Sequence, residues 1–209
     1  MKHLLLFLFI ILPFSVFAGM FKGTVTLNNG TVKYGYIHVP KYYAGKLKFR
    51  ENPNARLEKI MIDDVKEFTV FDRQNNAVSY VPVKTSEPGL FSSAYKTRSK
   101  KSWLQVVQKG SLNLLVLYYD VPAVNGAVGT NYTPGYGLYV QKQGDDFCSY
   151  VYLAPLNHYR TSRDYKDLKA ALALVFTDCP DMAAAFKEED FKTYCHKIIT
   201  DLYERYCGK

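Results

Sequence analysis

Residues 21–37, FKGTVTLNNGTVKYGYI, decide the fold class because their pattern is that of one antiparallel β-hairpin. The first half alternates apolar and polar residues with a period of two, as a half-buried strand does. The segment 28–30, NNG, predicts a tight turn, since Asn and Gly tolerate positive φ. The second half places Val32, Tyr34 and Tyr36 on one face. The chain therefore begins as a β protein.

The same alternation continues through several short segments as far as residue 83. KLKFR at 46–50 predicts a strand, and LEKIMIDDVKEFTVFD at 57–72 predicts two strands joined by a turn at Asp63-Asp64. Pro82 predicts an edge strand or a strand end, because proline donates no ladder hydrogen bond. We interpret residues 19–83 as an amino-terminal β subdomain, a small SH3-like or open barrel.

Residues 84–102, KTSEPGLFSSAYKTRSKKS, break this pattern because they are rich in Ser, Lys and Gly. Such composition predicts a loop or linker between two parts of the chain. Its basic run could contact an anion, or it could be a solvated face of a connector, which is the simpler interpretation. The basic residues are Lys96, Arg98, Lys100 and Lys101.

Residues 103–155 predict a second β-hairpin layer. One hairpin turns at Lys109-Gly110, and its second strand is apolar on both faces, which predicts a central position in the sheet. Another hairpin turns at Gly144-Asp145. Between them, NGAVGTNYTPGYG at 125–137 predicts a long flexible loop. It is not a phosphate loop, because no lysine follows and a strand rather than a helix comes next.

From Asp164 onward the apolar period changes to that of helices, so residues 164–209 predict two or three carboxy-terminal helices. A short helix begins with Pro180 in its first turn, and a last helix has apolar positions at spacings of three and four. The predicted fold class is therefore mainly β with a carboxy-terminal α-helical segment, that is, α+β.

The first eighteen residues, MKHLLLFLFIILPFSVFA, have the form of a secretory signal peptide. The apolar run from Leu4 to Leu12 is too short to span a bilayer, which needs about 20 residues. We expect cleavage after Ala18 and an exported protein, periplasmic or extracellular and surface-associated. Loss of Lys2 lowers the formal net charge from +8 to +7. This charge suits an anionic surface, a glycan or an envelope protein, and export argues against nucleic acid.

Four cysteines in an exported chain predict disulfides: Cys148, Cys179, Cys195 and Cys207. Their spacing contains no CxxC pair, so neither a zinc site nor a thioredoxin-like centre is expected, and we predict no cofactor. An antiparallel helix pair could bring Cys179 close to Cys195 or to Cys207, depending on where the last helix begins. Geometry alone leaves both pairings open.

Catalytic signatures are missing from the sequence, while tyrosine is abundant, with 18 residues. GxSxG, HExxH and Walker-type motifs do not occur. Tyrosines near strands and loops either contact glycans or proteins, or fill a β core and its rim.

We predict a non-enzymatic binding or envelope-interaction module. The alternative is a hydrolase acting on glycan or peptide, with carboxylates assembled by the fold. The candidate binding surface contains Tyr132, Tyr136, Tyr139 and the basic residues of 84–102.

Several segments carry a resemblance: GTVTLNNGTVKYGYIHVP at 23–40 with the later KLKFR and KIMIDDVKEFTVFD, SWLQVVQKGSLNLLV at 102–116, and FTDCPDM and YERYC near the end. Together they resemble uncharacterised secreted proteins common in Bacteroidetes-type bacteria, which have a "dG…kGyi" hairpin and a "DCP…YN..C" ending. Here Tyr203-Glu204 replaces the usual Tyr-Asn. The resemblance implies an exported envelope protein without established catalytic residues. It favours Cys179 and Cys207 as partners, leaving Cys148 and Cys195 as a second pair or as free thiols.

Overall fold

The computed structural model describes residues 19–89, 92–123, 131–155, 160–194 and 197–208. The predicted signal peptide, residues 1–18, lies outside the described residues. Within them, ten strands form one hydrogen-bonded sheet and four helices follow it. The predicted fold class, α+β with the helices at the carboxy-terminal end, is confirmed.

The amino-terminal half of the sheet has the strand order β5-β1-β2-β3-β4, with every neighbouring pair antiparallel. A 3-10 turn at Ile62–Asp64 joins the last two of these strands along the chain, where the sequence predicted a turn. The strands are β1 (Met20–Leu27), β2 (Val32–His38), β3 (Lys46–Arg50), β4 (Glu58–Met61) and β5 (Val65–Phe71).

These five strands curl around a core of their own, as an open barrel does. Alternate residues point inward, and Trp103 from a later strand covers them. The indole of Trp103 donates a hydrogen bond to the carbonyl oxygen of Ala44 at 2.7 Å. Phe68 packs edge-on against the same indole, with 5.3 Å between the ring centroids. The core residues on the strands are Val25, Ile37, Leu47, Phe49, Ile60, Val65, Phe68 and Val70.

The second half of the sheet closes into a five-stranded barrel, because its first and last strands pair with each other. That pairing is parallel and aligns Lys84–Ser86 with Phe147–Ser149. The other pairings around the barrel are antiparallel. The strands are β6 (Ala77–Gly89), β7 (Ser92–Gln108), β8 (Leu112–Ala123), β9 (Asn131–Lys142) and β10 (Phe147–Pro155).

β6 belongs to both halves and changes its partner along its length. Residues 77–80 pair with β5, and residues 84–86 pair with β10. Pro82 lies between these two stretches and is paired only on the other side, opposite Trp103. The prediction of an edge or a strand end at Pro82 is therefore wrong for β6 as a whole. The reason for that prediction still applies at Pro82 itself. Proline has no N–H to donate, and at this position β6 pairs only with β7.

The predicted linker at 84–102 is wrong, since residues 84–89 belong to β6 and 92–102 to β7. Few of its side chains are apolar, so composition indicated a loop. Pairing of the two strands with each other, and of residues 84–86 with β10, stabilises the strand conformation instead, and strand preference depends on such context. Two polar residues in it, Thr85 and Ser86, are buried. The subdomain boundary predicted here lies within a continuous sheet.

The predicted loop at 125–137 is partly wrong, because β9 begins at Asn131 and continues through the glycines. Residues 124–130 lie outside the described residues. The turns predicted at 28–30, 109–110 and 144–145 are found between strands, and Gly30 and Gly144 have positive φ. β8 lies between β7 and β9, as its apolar character predicted.

Four helices cover one face of β8–β10, where the sequence predicted two or three. Thr161 caps the first helix in a capping box with Asp164, which gives the backbone N–H groups of these two residues acceptors. Apolar residues of all four helices join those of the strands in one core, including Leu172, Met182 and Phe191. The helices are α1 (Ser162–Val175), α2 (Pro180–Ala185), α3 (Glu188–Tyr194) and α4 (Lys197–Tyr206).

A disulfide between Cys179 and Cys207 joins the start of α2 to the residue after α4, with 5.8 Å between the Cα atoms. Of the two pairings that helix lengths left open, the structure contains this one, which the resemblance favoured. Cys148 is a buried free thiol in β10, so the suggested second bond to Cys195 is not formed. Cys195 itself lies outside the described residues, as do His158 and His196.

Candidate binding site at the mouth of the barrel

A cavity of about 460 Å³ lies inside one end of the barrel. Toward the other end the interior is filled by an apolar cluster of Val83, Leu104, Leu115 and Cys148. Tyr139 belongs to that cluster and also lines the cavity, so its ring forms the boundary between the two. The lining residues are Tyr42, Thr85, Glu87, Pro88, Arg98, Ser102, Leu117, Tyr119, Tyr139 and Tyr150.

Strand alternation explains why these residue types meet. On β6, Val83, Thr85 and Glu87 follow each other at a period of two and all face the barrel interior. The interior therefore changes from apolar to polar along a single strand. On β8 and β9, the tyrosines that reach the cavity are Tyr119 and Tyr139, and Tyr139 lies opposite Leu115 of the apolar cluster.

Glu87 is the centre of the polar network in the cavity. The hydroxyl of Tyr139 donates a hydrogen bond to its Oε1 at 3.1 Å, and Arg98 Nη2 lies 2.6 Å from its Oε2. Both carboxylate oxygens therefore have donors. Because Arg98 neutralises Glu87, these two charged residues together add no net charge to the site.

Three tyrosines in the cavity hold their protons more tightly than an exposed phenol does. Burial, with the charge of Glu87 as a second cause, raises the pKa of Tyr119 from 10.0 to about 12. The same two causes raise the pKa of Tyr139 further, and the hydrogen bond to Glu87 adds to them. Burial also raises the pKa of Tyr150 well above its ordinary value. At neutral pH all three side chains are therefore neutral phenols.

Close packing holds the tyrosine rings in place. Tyr139 and Tyr150 contact edge to face, with 5.6 Å between the ring centroids. The hydroxyl of Tyr95 donates to the carbonyl oxygen of Tyr150 at 2.7 Å, which ties β7 to β10 across the barrel. A Cβ on Gly137 would lie 3.3 Å from Tyr119 Cε1 and 3.1 Å from Tyr139 Cε2. Glycine at this position therefore leaves space for both rings.

The free thiol of Cys148 lies below the cavity and has no reactive surroundings. It is fully buried, and its Sγ lies 3.5 Å from the carbonyl oxygen of Lys84. Burial raises the pKa of this thiol far above its ordinary value. A protonated, inaccessible thiol is a packing residue rather than a nucleophile.

The structure separates the residues of the predicted binding surface. Arg98 and Tyr139 line the cavity, whereas Tyr136 packs toward the helices. Lys101 Nζ lies 3.4 Å from Asp63, and Lys96 and Lys100 are exposed on β7 outside the cavity lining. The side chain of Tyr132 lies outside the described residues.

Sequence reasoning did not assign Glu87, Tyr119 or Tyr150 to a site. Glu87 was missed because 84–102 was interpreted as a linker. Had its residues been read as a strand, the period-two series from Val83 to Glu87 would have placed the carboxylate on the inner face. Tyr119 follows Tyr118, and Tyr150 lies two residues before Tyr152, and nothing local indicates which of these tyrosines faces inward.

No protein-family model, curated protein or solved structure matches the chain. The fold and the site therefore define the protein on their own, as an α+β protein with a small closed barrel and a tyrosine-lined cavity. Within the described residues, no group of three or more His, Cys, Asp or Glu side chains is arranged to hold a metal ion. The helices of the described segments include none with the length and apolar character needed to cross a membrane.

Proposed function

We propose that this is an exported binding module, periplasmic or surface-associated, whose barrel mouth takes a neutral, hydroxyl-rich ligand such as a segment of glycan. The observation that carries the proposal is the set of three neutral tyrosines and one Glu87–Arg98 pair around a single cavity. Its volume of about 460 Å³ falls within the range of small-ligand sites. Export is supported by the signal-peptide pattern of residues 1–18.

The chemistry of the lining favours a neutral ligand. Because Glu87 and Arg98 are paired with each other, the lining offers a charged ligand no unpaired counter-ion. Phenol hydroxyls both donate and accept hydrogen bonds, Glu87 accepts them and Arg98 donates them. Sugars present hydroxyls in both roles and apolar C–H faces that pack on aromatic rings, so they match this lining.

The lining also favours binding over hydrolysis. Glu87 is the one carboxylate among the described side chains of the cavity, and it is already paired with Arg98. Hydrolysis of a glycosidic bond by a carboxylate pair needs two such groups about 5–10 Å apart. A hydrolase would therefore need a second acid that the described lining does not supply.

The test is a glycan array probed with the chain from Gly19 onward, followed by calorimetry of the best ligand. We expect Tyr119→Phe and Glu87→Gln each to weaken binding at least about tenfold, since each removes a hydrogen-bonding group or a charge. Tyr206→Phe is the matched control, because Tyr206 is exposed on α4. Absence of any bound glycan, or equal binding by all variants, would count against the proposal. Cleavage of the bound glycan would favour the hydrolase.

A further inference from the structure

The outward face of β1–β4 has an unusual composition. Because neighbouring strands are in register, outward positions of one strand lie beside outward positions of the next. None of these positions is Asp or Glu. We call this surface the basic face; it contains Lys22, Val32, Tyr34, Tyr36, His38, Lys46, Lys48, Arg50, Lys59 and Met61.

Among the residues that the structure describes, the lysines of the basic face have no counter-ion within 4 Å. Lys22, Lys46, Lys48 and Lys59 are exposed, and none takes part in an ion pair among the described residues. Some lysines elsewhere on the sheet are paired: Lys33, on the inward side, lies 2.6 Å from Glu58, and Lys101 lies 3.4 Å from Asp63.

The register makes this arrangement unfavourable for the isolated protein. Lys48 in β3 lies directly opposite Lys59 in β4, and on its other side it lies opposite His38 in β2. Like charges at directly opposed positions destabilise a sheet. An external anion would remove this repulsion, so the basic face is suited to an anionic partner.

Apolar groups among the lysines indicate which anionic partner fits. Tyr34 is 71% exposed, Met61 45% and Val32 44%, and all three lie on the basic face. Lys46 is directly opposite Met61. At a bilayer surface, lysines bind anionic headgroups while aromatic and apolar side chains enter the boundary of the acyl chains. A soluble polyanion would leave Val32 and Met61 in water.

We propose that the basic face docks onto the surface of an anionic lipid bilayer. The proposal is independent of the ligand in the barrel cavity, because no residue of the basic face lines that cavity. Contact through four lysines is electrostatic and reversible. It therefore weakens as salt is added, since the screening length shrinks to about 8 Å at physiological ionic strength.

The test is co-sedimentation of the chain from Gly19 onward, in which every described residue lies, with two kinds of vesicle. One kind is phosphatidylcholine alone, and the other is an equal mixture with phosphatidylglycerol. We expect binding only to the mixture, and about twenty-five-fold weaker binding for Lys48→Gln/Lys59→Gln, at about fivefold per lysine. The control, Lys187→Gln/Lys197→Gln, removes the same charge from two exposed positions, one just before α3 and one at the start of α4, and should bind as the parent does.

A second variant separates lipid from a soluble polyanion. Tyr34→Ser should reduce vesicle binding but leave retention on a heparin column unchanged, because only the bilayer offers a boundary for the ring. The proposal is overturned if the mixed vesicles do not bind. It is also overturned if both lysine pairs weaken binding equally, or if Tyr34→Ser has no effect on vesicles while heparin retention depends on Lys48 and Lys59.

Discussion

Gly23 in β1 lies directly opposite Gly35 in β2, and each has the backbone of a third strand where a side chain would begin. A Cβ on Gly23 would overlap the carbonyl oxygen of Thr69 in β5. A Cβ on Gly35 would overlap that of Arg50 in β3. The two glycines therefore let the sheet curl tightly on both sides of the first hairpin, as glycine kinks do in small barrels.

Gly35→Ala should lower the free energy of unfolding by about 2–3 kcal/mol, because a neighbouring backbone must move to make room. Gly45→Ala is the matched control, since a Cβ there would meet no atom within 4 Å. Its effect should stay within about 0.5 kcal/mol. Urea denaturation of both variants is the measurement. Equal midpoints would contradict the inference that a glycine at position 35 is needed for the curvature of the sheet.

The disulfide between Cys179 and Cys207 should contribute about 3–4 kcal/mol to stability. It closes a loop with a sequence separation of 28, and the loss of chain entropy in the unfolded state scales with loop length. The variant Cys179→Ser/Cys207→Ser should therefore unfold at lower denaturant, and the reduced parent protein should match it. A reduced parent as stable as the oxidised one would show that the bond does not brace the helices.

Local pattern predicted the parts of this fold that local interactions determine. The hairpin at 21–37 and its NNG turn follow from alternation and turn chemistry, and the central position of β8 follows from its apolar residues on both faces. Closure of the barrel depends instead on pairing Lys84–Ser86 with Phe147–Ser149, more than sixty positions apart along the chain. Nothing in the composition of 84–102 indicates that partner, so the segment was interpreted as a linker.

The candidate site was missed for the same reason. Glu87 and Tyr139 are 52 residues apart and meet only because β6 and β9 belong to one closed barrel. Tyrosines could be identified as contact residues from their number. The register of the strands decides which residues point into the barrel, and therefore which tyrosines face the cavity.

The thiol of Cys148 should not react in the folded protein. It is fully buried, and burial raises its pKa, so little thiolate forms at pH 8. In a Cys195→Ser background, a thiol reagent should label no site in native buffer and one site in denaturant. Rapid labelling of the folded protein would show that the floor of the barrel is open to solvent.

Alkaline pH should destabilise the protein through the cavity tyrosines. A phenol whose pKa is higher in the folded state than in the unfolded state adds stability that is complete below the unfolded pKa. For Tyr119 that stability is lost as the pH rises from 10.0 toward about 12. Urea midpoints should therefore fall in this range, and less steeply in Tyr119→Phe. Tyr206→Phe, which changes an exposed residue, should retain the slope of the parent protein.

Glu87→Gln should bring the pKa of Tyr139 closer to that of an exposed phenol. Burial is the first cause of the raised pKa, and it remains in the variant. The carboxylate charge is the second cause, and it is removed. The ultraviolet titration of the phenols, assigned by subtracting that of Tyr139→Phe, measures the change.

Glu67→Gln is the control, because it removes a carboxylate that pairs with Lys109 outside the cavity. An unchanged titration in Glu87→Gln would mean that Tyr139 is held neutral by burial alone. The Glu87–Arg98 pair would then have no electrostatic effect on the cavity phenols.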